Sequence, residues 1–176
     1  MSIIKLQDLE KLTEKLYGPQ QDNSLNVFEN NISNSYFENH SKFTELFEYF
    51  TQTESVHCQF WIWNNLINLV EKKYSIFNNE EKANFRNIIS YLFENKITKI
   101  TSTPYTSSKF CLFLFSWVKN DFPESWPTFF KDIMKLIYMN NDEIIKIKMI
   151  SKYKKKYYIL YFVIFFIFIF YFLSSI

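Results

Sequence analysis

Gly18 is the only glycine in this chain of 176 residues, and that scarcity limits what the backbone can do. Loops that cradle phosphate, and the turns that open dinucleotide folds, need several glycines so that main chain can approach a ligand closely. One glycine writes neither. Strands are equally poorly supported, since no stretch alternates apolar and polar residues between hairpin-type turns. The sequence repeats instead the three-to-four-residue apolar spacing of helices.

Ile3–Tyr17 carries Ile4, Leu6, Leu9, Leu12 and Leu16 among charged residues, an amphipathic helix stopped by Gly18-Pro19. Gln20–Asn39 is asparagine-rich and weakly patterned, with a short helix expected around Leu25–Ile32. Phe43, Leu46, Phe47 and Phe50 mark the next helix, capped by Ser41 and broken at Thr51–Thr53. A longer one runs from about Glu54 to Lys73 with Phe60, Trp63, Ile67 and Val70 on one face and a polar stripe of Asn65, Asn68 and Lys72. After Asn78-Asn79 comes a helix bearing Phe85, Ile88, Ile89, Leu92 and Phe93, then a polar loop over Thr98–Pro104. Tyr105–Phe122 is apolar almost all round, which predicts a helix sandwiched between neighbours. A last helix is expected from Pro127 to about Met139.

Five or six antiparallel helices, paired roughly every 40 residues, fit an all-α fold: an α-solenoid of HEAT-like helical hairpins. A four-helix bundle is the alternative. The net charge of +2 sets up no basic field for nucleic acid. Cys58 and Cys111 lack any Cys-x-x-Cys spacing, and Met1–Leu12 has no secretory leader pattern. They read as reduced, buried thiols of a nuclear or cytosolic protein. His57 and Cys58 are adjacent, so on a helix they diverge by about 100 degrees and suit no shared metal. No cofactor and no enzymatic activity is indicated.

Between the last two helices the chain reads Asp-Phe-Pro-Glu-Ser-Trp-Pro-Thr-Phe-Phe-Lys-Asp over residues 121–132. Pro123 ends one helix and Pro127 opens the next, where a missing N–H costs nothing. This corner resembles a signature of the exportin branch of the importin-β superfamily: Phe122-Pro123, Trp126-Pro127, Phe129-Phe130 and Asp132 stand in order, with Lys109 upstream where that family has a lysine. Around Lys109 the match departs, with Ser108 and Phe110-Cys111-Leu112 in place of the family's residues. Gln59-Phe60-Trp61, Leu66, Lys73-Tyr74-Ser75, Glu80-Glu81-Lys82 and Arg86 are most similar to the tRNA exportins, as is the opening Leu9-Glu10-Lys11 with Leu16-Tyr17.

The resemblance spans about residues 3–140. It implies a receptor shuttling between nucleus and cytoplasm that binds Ran in its GTP form, carries tRNA and meets nucleoporins at the pore. Asn65, Asn68, Lys72, Lys109 and Lys119 are the candidates for a Ran- or cargo-facing concave wall. Trp126, Pro127, Phe129, Phe130 and Asp132 are the structural residues of the corner. Arg86 is the only arginine in the chain, so phosphate contacts to tRNA are expected mainly in parts beyond this sequence.

Residues 1–145 are thus expected to form the helical repeats and residues 146–176 a distinct hydrophobic tail. Tyr157–Leu173 is uninterrupted Tyr, Phe, Ile, Leu and Val, preceded by Lys152 and Lys154–Lys156. Its length is at the short end of the ~17–25 residues a membrane span needs, with its lysines on the cytosolic side. Two readings stand: a tail anchor in an endomembrane, or translation of A/T-rich non-coding sequence, because its residues are almost all encodable by A and T alone.

Overall fold

The computed structural model describes residues 2–100 and 102–121, together with Pro127, Thr128 and Lys131. The chain falls into two units, Met1–Pro127 and Thr128–Ile176, and the helices described below all belong to the first. Among the described residues every regular element is helical: α1 (Leu6–Tyr17), α2 (Asn26–Glu38), α3 (Phe43–Gln52), α4 (Val56–Lys73), α5 (Asn79–Asn95), α6 (Ile97–Ile100) and α7 (Pro104–Asp121). Three single 3-10 turns, Asn23–Leu25, His40–Lys42 and Tyr74–Ile76, lead into or out of them. The expected helix from Pro127 to Met139 lies outside the described residues except at Pro127, Thr128 and Lys131, and the tail over 146–176 lies wholly outside them. Among the described residues no helix is long and apolar enough to cross a membrane.

Helix ends follow local chemistry. α1 buries Leu9, Leu12, Thr13 and Leu16 and stops at Gly18, whose N–H donates to the Glu14 carbonyl at 2.8 Å. Gly18 has φ −77° and ψ −178°, extended backbone that any residue adopts. Its lack of a side chain matters for space, because a Cβ there would lie 2.3 Å from the Glu14 carbonyl oxygen. Ser55 caps α4 by accepting the Cys58 N–H at 3.3 Å. Asn78 and Glu81 cap α5 reciprocally, each side chain accepting the other's backbone N–H at 2.9 Å.

Ser41 is not the cap of α3. It sits in the 3-10 turn His40–Lys42, which winds directly into the helix, and the capping position falls to Lys42 with no side-chain hydrogen bond. A cap needs an extended residue before the first turn, and this junction has none. α2 extends beyond the expected Leu25–Ile32 to Glu38, although it buries only Ile32 and Tyr36. The one-turn helix α6, Ile97–Ile100, takes up the start of the segment expected as a polar loop over Thr98–Pro104. Lys99 on α6 reaches back to donate to the Thr53 carbonyl at 2.6 Å and to Glu54 Oε1 at 2.8 Å, closing the C-terminal end of α3.

Among the described residues the helix enclosed by its neighbours is α4, and the segment expected on the far side of α7 lies outside them. α4 packs against α1, α2, α3 and α7, and buries Cys58, Gln59, Trp61, Ile62, Trp63, Leu66, Ile67, Leu69 and Val70. On α7, by contrast, Leu112 is 45% and Phe115 42% exposed. Asn64, Asn65 and Asn68 occupy a narrow polar edge of this otherwise enclosed helix.

The centre of the core is aromatic. Trp63 lies 4.8 Å from Phe50 of α3 and 5.3 Å from Phe110 and Phe113 of α7, ring centre to ring centre. Phe85 of α5 stands 5.2 Å from Phe43 and from Trp117 and 5.6 Å from Phe113. These separations are those of tilted and edge-to-face pairs, each contributing about 0.5–1.5 kcal/mol beyond area burial. The aromatic content of the sequence thus has a direct use: flat rings from four helices close the core.

Candidate functional site

A cleft of about 490 Å³ runs along the polar edge of α4. α4 forms its floor with Trp61, Asn64, Asn65, Asn68 and Lys72. α2 forms one wall with Glu29, Asn30, Ser33, Asn34 and Phe37, whose spacing of three and four residues puts them on one helix face. Lys109 and Leu112 of α7 form the other side, and Tyr17 joins from the end of α1.

The polar groups of the cleft fall into a fixed set and an open set. Glu29 Oε1 accepts the Trp61 indole N–H at 2.6 Å and the Ser33 hydroxyl at 2.9 Å, which ties α2 to α4. Lys109 Nζ donates to Asn64 Oδ1 at 2.6 Å while standing 5.0 Å from the centre of the Phe60 ring. Asn65 donates to the Trp61 carbonyl one turn back, at 3.0 Å. Lys72 Nζ is 5.8 Å and Lys73 Nζ 4.8 Å from the Phe37 ring centre. Asn30, Asn34 and Asn68 are exposed and open to the cleft.

Charge is shared unevenly. Lys72 and Lys109 face one carboxylate, Glu29, which already holds two donors. Burial, reinforced by the charge of Glu29, pushes the Tyr17 phenol up to about 12. Burial also raises Tyr36, which donates to Glu45 Oε1 at 2.5 Å. Both phenols therefore remain neutral donors across the physiological range.

Four of the five residues singled out for a concave wall, Asn65, Asn68, Lys72 and Lys109, line this one cleft. Lys119 is exposed in the last turn of α7 and is not among the lining residues. Pro127 is an exposed turn residue, whereas Trp126, Phe129, Phe130 and Asp132 lie outside the described residues. Arg86 commits its guanidinium to a carboxylate: Nε and Nη2 donate to Asp121 Oδ2 at 3.1 and 2.9 Å. His57 and Cys58 diverge as expected for neighbours on a helix, His57 pairing with Glu14 at 2.8 Å while Cys58 is fully buried. Among the described residues no three His, Cys, Asp or Glu side chains converge on a metal position.

Sequence reasoning missed the α2 wall. Asn30, Ser33, Asn34 and Phe37 keep helical spacing, and that polar stripe is the signal that marks them. Comparison with protein-family models, with curated proteins and with solved structures finds no match to this chain.

Proposed function

We propose that this chain is the N-terminal part of a nuclear transport receptor of the exportin kind, an α-solenoid that binds Ran-GTP and takes tRNA as its cargo. The observation that carries this reading is the corner sequence Phe122-Pro123…Trp126-Pro127-Thr128-Phe129-Phe130-Lys131-Asp132, which follows α7 directly. The helical order supports it. α1, α4 and α7 pack side by side through α4, while Phe43 and Phe47 of α3 meet Phe85 of α5 across the core. Recurrence from Leu6 to Val56 to Pro104 is a longer step than the 40 residues expected, with α2 inserted in the first interval and the one-turn helix α6 in the second.

In this reading Ran-GTP and cargo favour the same superhelical curvature, so each raises the affinity for the other. The test is retention of purified Ran on the immobilised full chain, loaded with a non-hydrolysable GTP analogue or with GDP. Selective retention of the GTP form is expected. Equal retention of both forms, or of neither, ends the proposal.

A second reading rests on Tyr157–Leu173 and the lysines before it: a helical adaptor anchored by its tail in an endomembrane. It requires the expressed chain to stay in the membrane pellet through alkaline extraction, and release into the supernatant rules it out.

A further inference from the structure

We propose that the cleft over α4 binds an extended polypeptide segment carrying two carboxylates four residues apart. Asn30 and Asn34 on one wall and Asn68 on the floor present primary amides to the cleft. Each amide offers an N–H and a C=O side by side and so can pair with a peptide group of a passing main chain.

The two cations set the spacing. Lys109 is held beside Asn64, and Lys72 lies eight residues further along α4, about 12 Å at 1.5 Å per residue. An extended chain rises about 3.3 Å per residue, so carboxylates four positions apart span the same distance. Both ammonium groups rest over rings, Phe60 and Phe37, which lowers the ordering cost of receiving a carboxylate.

The same cleft is poorly made for a nucleic acid strand. Binding of unpaired bases depends on exposed aromatic faces, yet Trp61 is 1% and Tyr36 2% exposed, and Phe37 is covered by Lys72 and Lys73. Two lysines with Glu29 beside them form no phosphate track.

Peptide binding at this cleft does not require the transport reading, because Ran retention and peptide affinity are separate measurements on the same full chain. The probe is a fluorescein-labelled, end-blocked peptide with the core Glu-Ser-Ala-Ser-Glu, read by fluorescence anisotropy. The controls are the same peptide with Gln for both Glu, one with the two Glu adjacent, and a single-stranded RNA of equal length. The Glu peptide should bind about tenfold more tightly than the Gln peptide. Lys72→Gln and Lys109→Gln should each weaken it about fivefold, and Asn68→Ala should weaken both peptides alike. Lys72 and Asn68 are exposed, and unchanged thermal melting of their variants establishes that the fold is intact. Equal affinity for the Glu and Gln peptides, equal binding of the adjacent-Glu peptide, or tighter binding of the RNA would each overturn the proposal.

Discussion

Arg86 and Asp121 meet through a single oxygen: Nε and Nη2 of the guanidinium both donate to Oδ2, at 3.1 and 2.9 Å. The Tyr74 hydroxyl donates to the same atom at 2.9 Å. Asp121 is 1% exposed, whereas the Arg86 side chain retains 28% exposure. The carboxylate is therefore the dependent partner, and three elements, α5, α7 and the turn after α4, are joined at its position.

Removing either partner should have unequal consequences. Arg86→Leu leaves a buried carboxylate without its counter-ion and is expected to cost about 3–5 kcal/mol in urea unfolding. Asp121→Asn keeps the volume and an acceptor, and is expected to cost about 1–2 kcal/mol. A smaller loss for Arg86→Leu than for Asp121→Asn would contradict the assignment of dependence.

Gly18→Ala tests whether the glycine serves space or conformation. The backbone angles suit alanine, but its methyl would meet the Glu14 carbonyl oxygen at 2.3 Å. A destabilisation of about 1–3 kcal/mol is expected from this overpacking. The opposite sign, a gain of about 0.4–1 kcal/mol from stiffening the unfolded chain, would show that the end of α1 relaxes freely.

Trp63 carries a buried indole N–H that lacks a hydrogen-bond partner among the described residues. Trp63→Phe removes that donor while keeping a ring among Phe50, Phe110 and Phe113, so lost contact area and relieved desolvation oppose each other. The net change is expected within about 1 kcal/mol, against about 3–5 kcal/mol for Trp63→Ala. Thermal unfolding of the two variants separates them, and similar losses would mean that the indole N–H is satisfied.

Stability should decline on the alkaline side. Tyr17, Tyr36 and Tyr74 all have phenols raised above the ordinary 10.0, in each case first by burial. A raised folded value means that the native state keeps protons that the unfolded chain has lost. The contribution is complete below about pH 10 and falls as pH rises toward about 12 for Tyr17. Chemical unfolding at pH 9, 10 and 11 should show a progressive fall in stability, together with delayed phenolate absorbance in the native protein. A flat profile would place these side chains in water.

The sequence carried its helices where local chemistry marks their ends. Gly18-Pro19 closes α1, and Asn78 with Glu81 opens α5, because capping is decided within four residues. It was mute where the deciding contact is distant. α6 is docked by Lys99 on carbonyls 46 and 48 residues earlier in the chain, and no local pattern announces that. α2 went half-read because one of its faces buries only Ile32 and Tyr36 and the other lines a polar cleft, which leaves little amphipathic contrast. The cleft was legible from its floor, Asn65, Asn68 and Lys72, and illegible from the wall opposite.

The position of α4 sets how this unit comes apart. In a stack of helical repeats each module leans on the next, and a helix in the middle is shared by its neighbours. Here α1, α2, α3 and α7 all rest on one helix, so loosening any of them uncovers the same surface. Hydrogen exchange is therefore expected to be slowest over Val56–Lys73, and amides there that exchange as fast as those of α1 or α2 would contradict this role for α4.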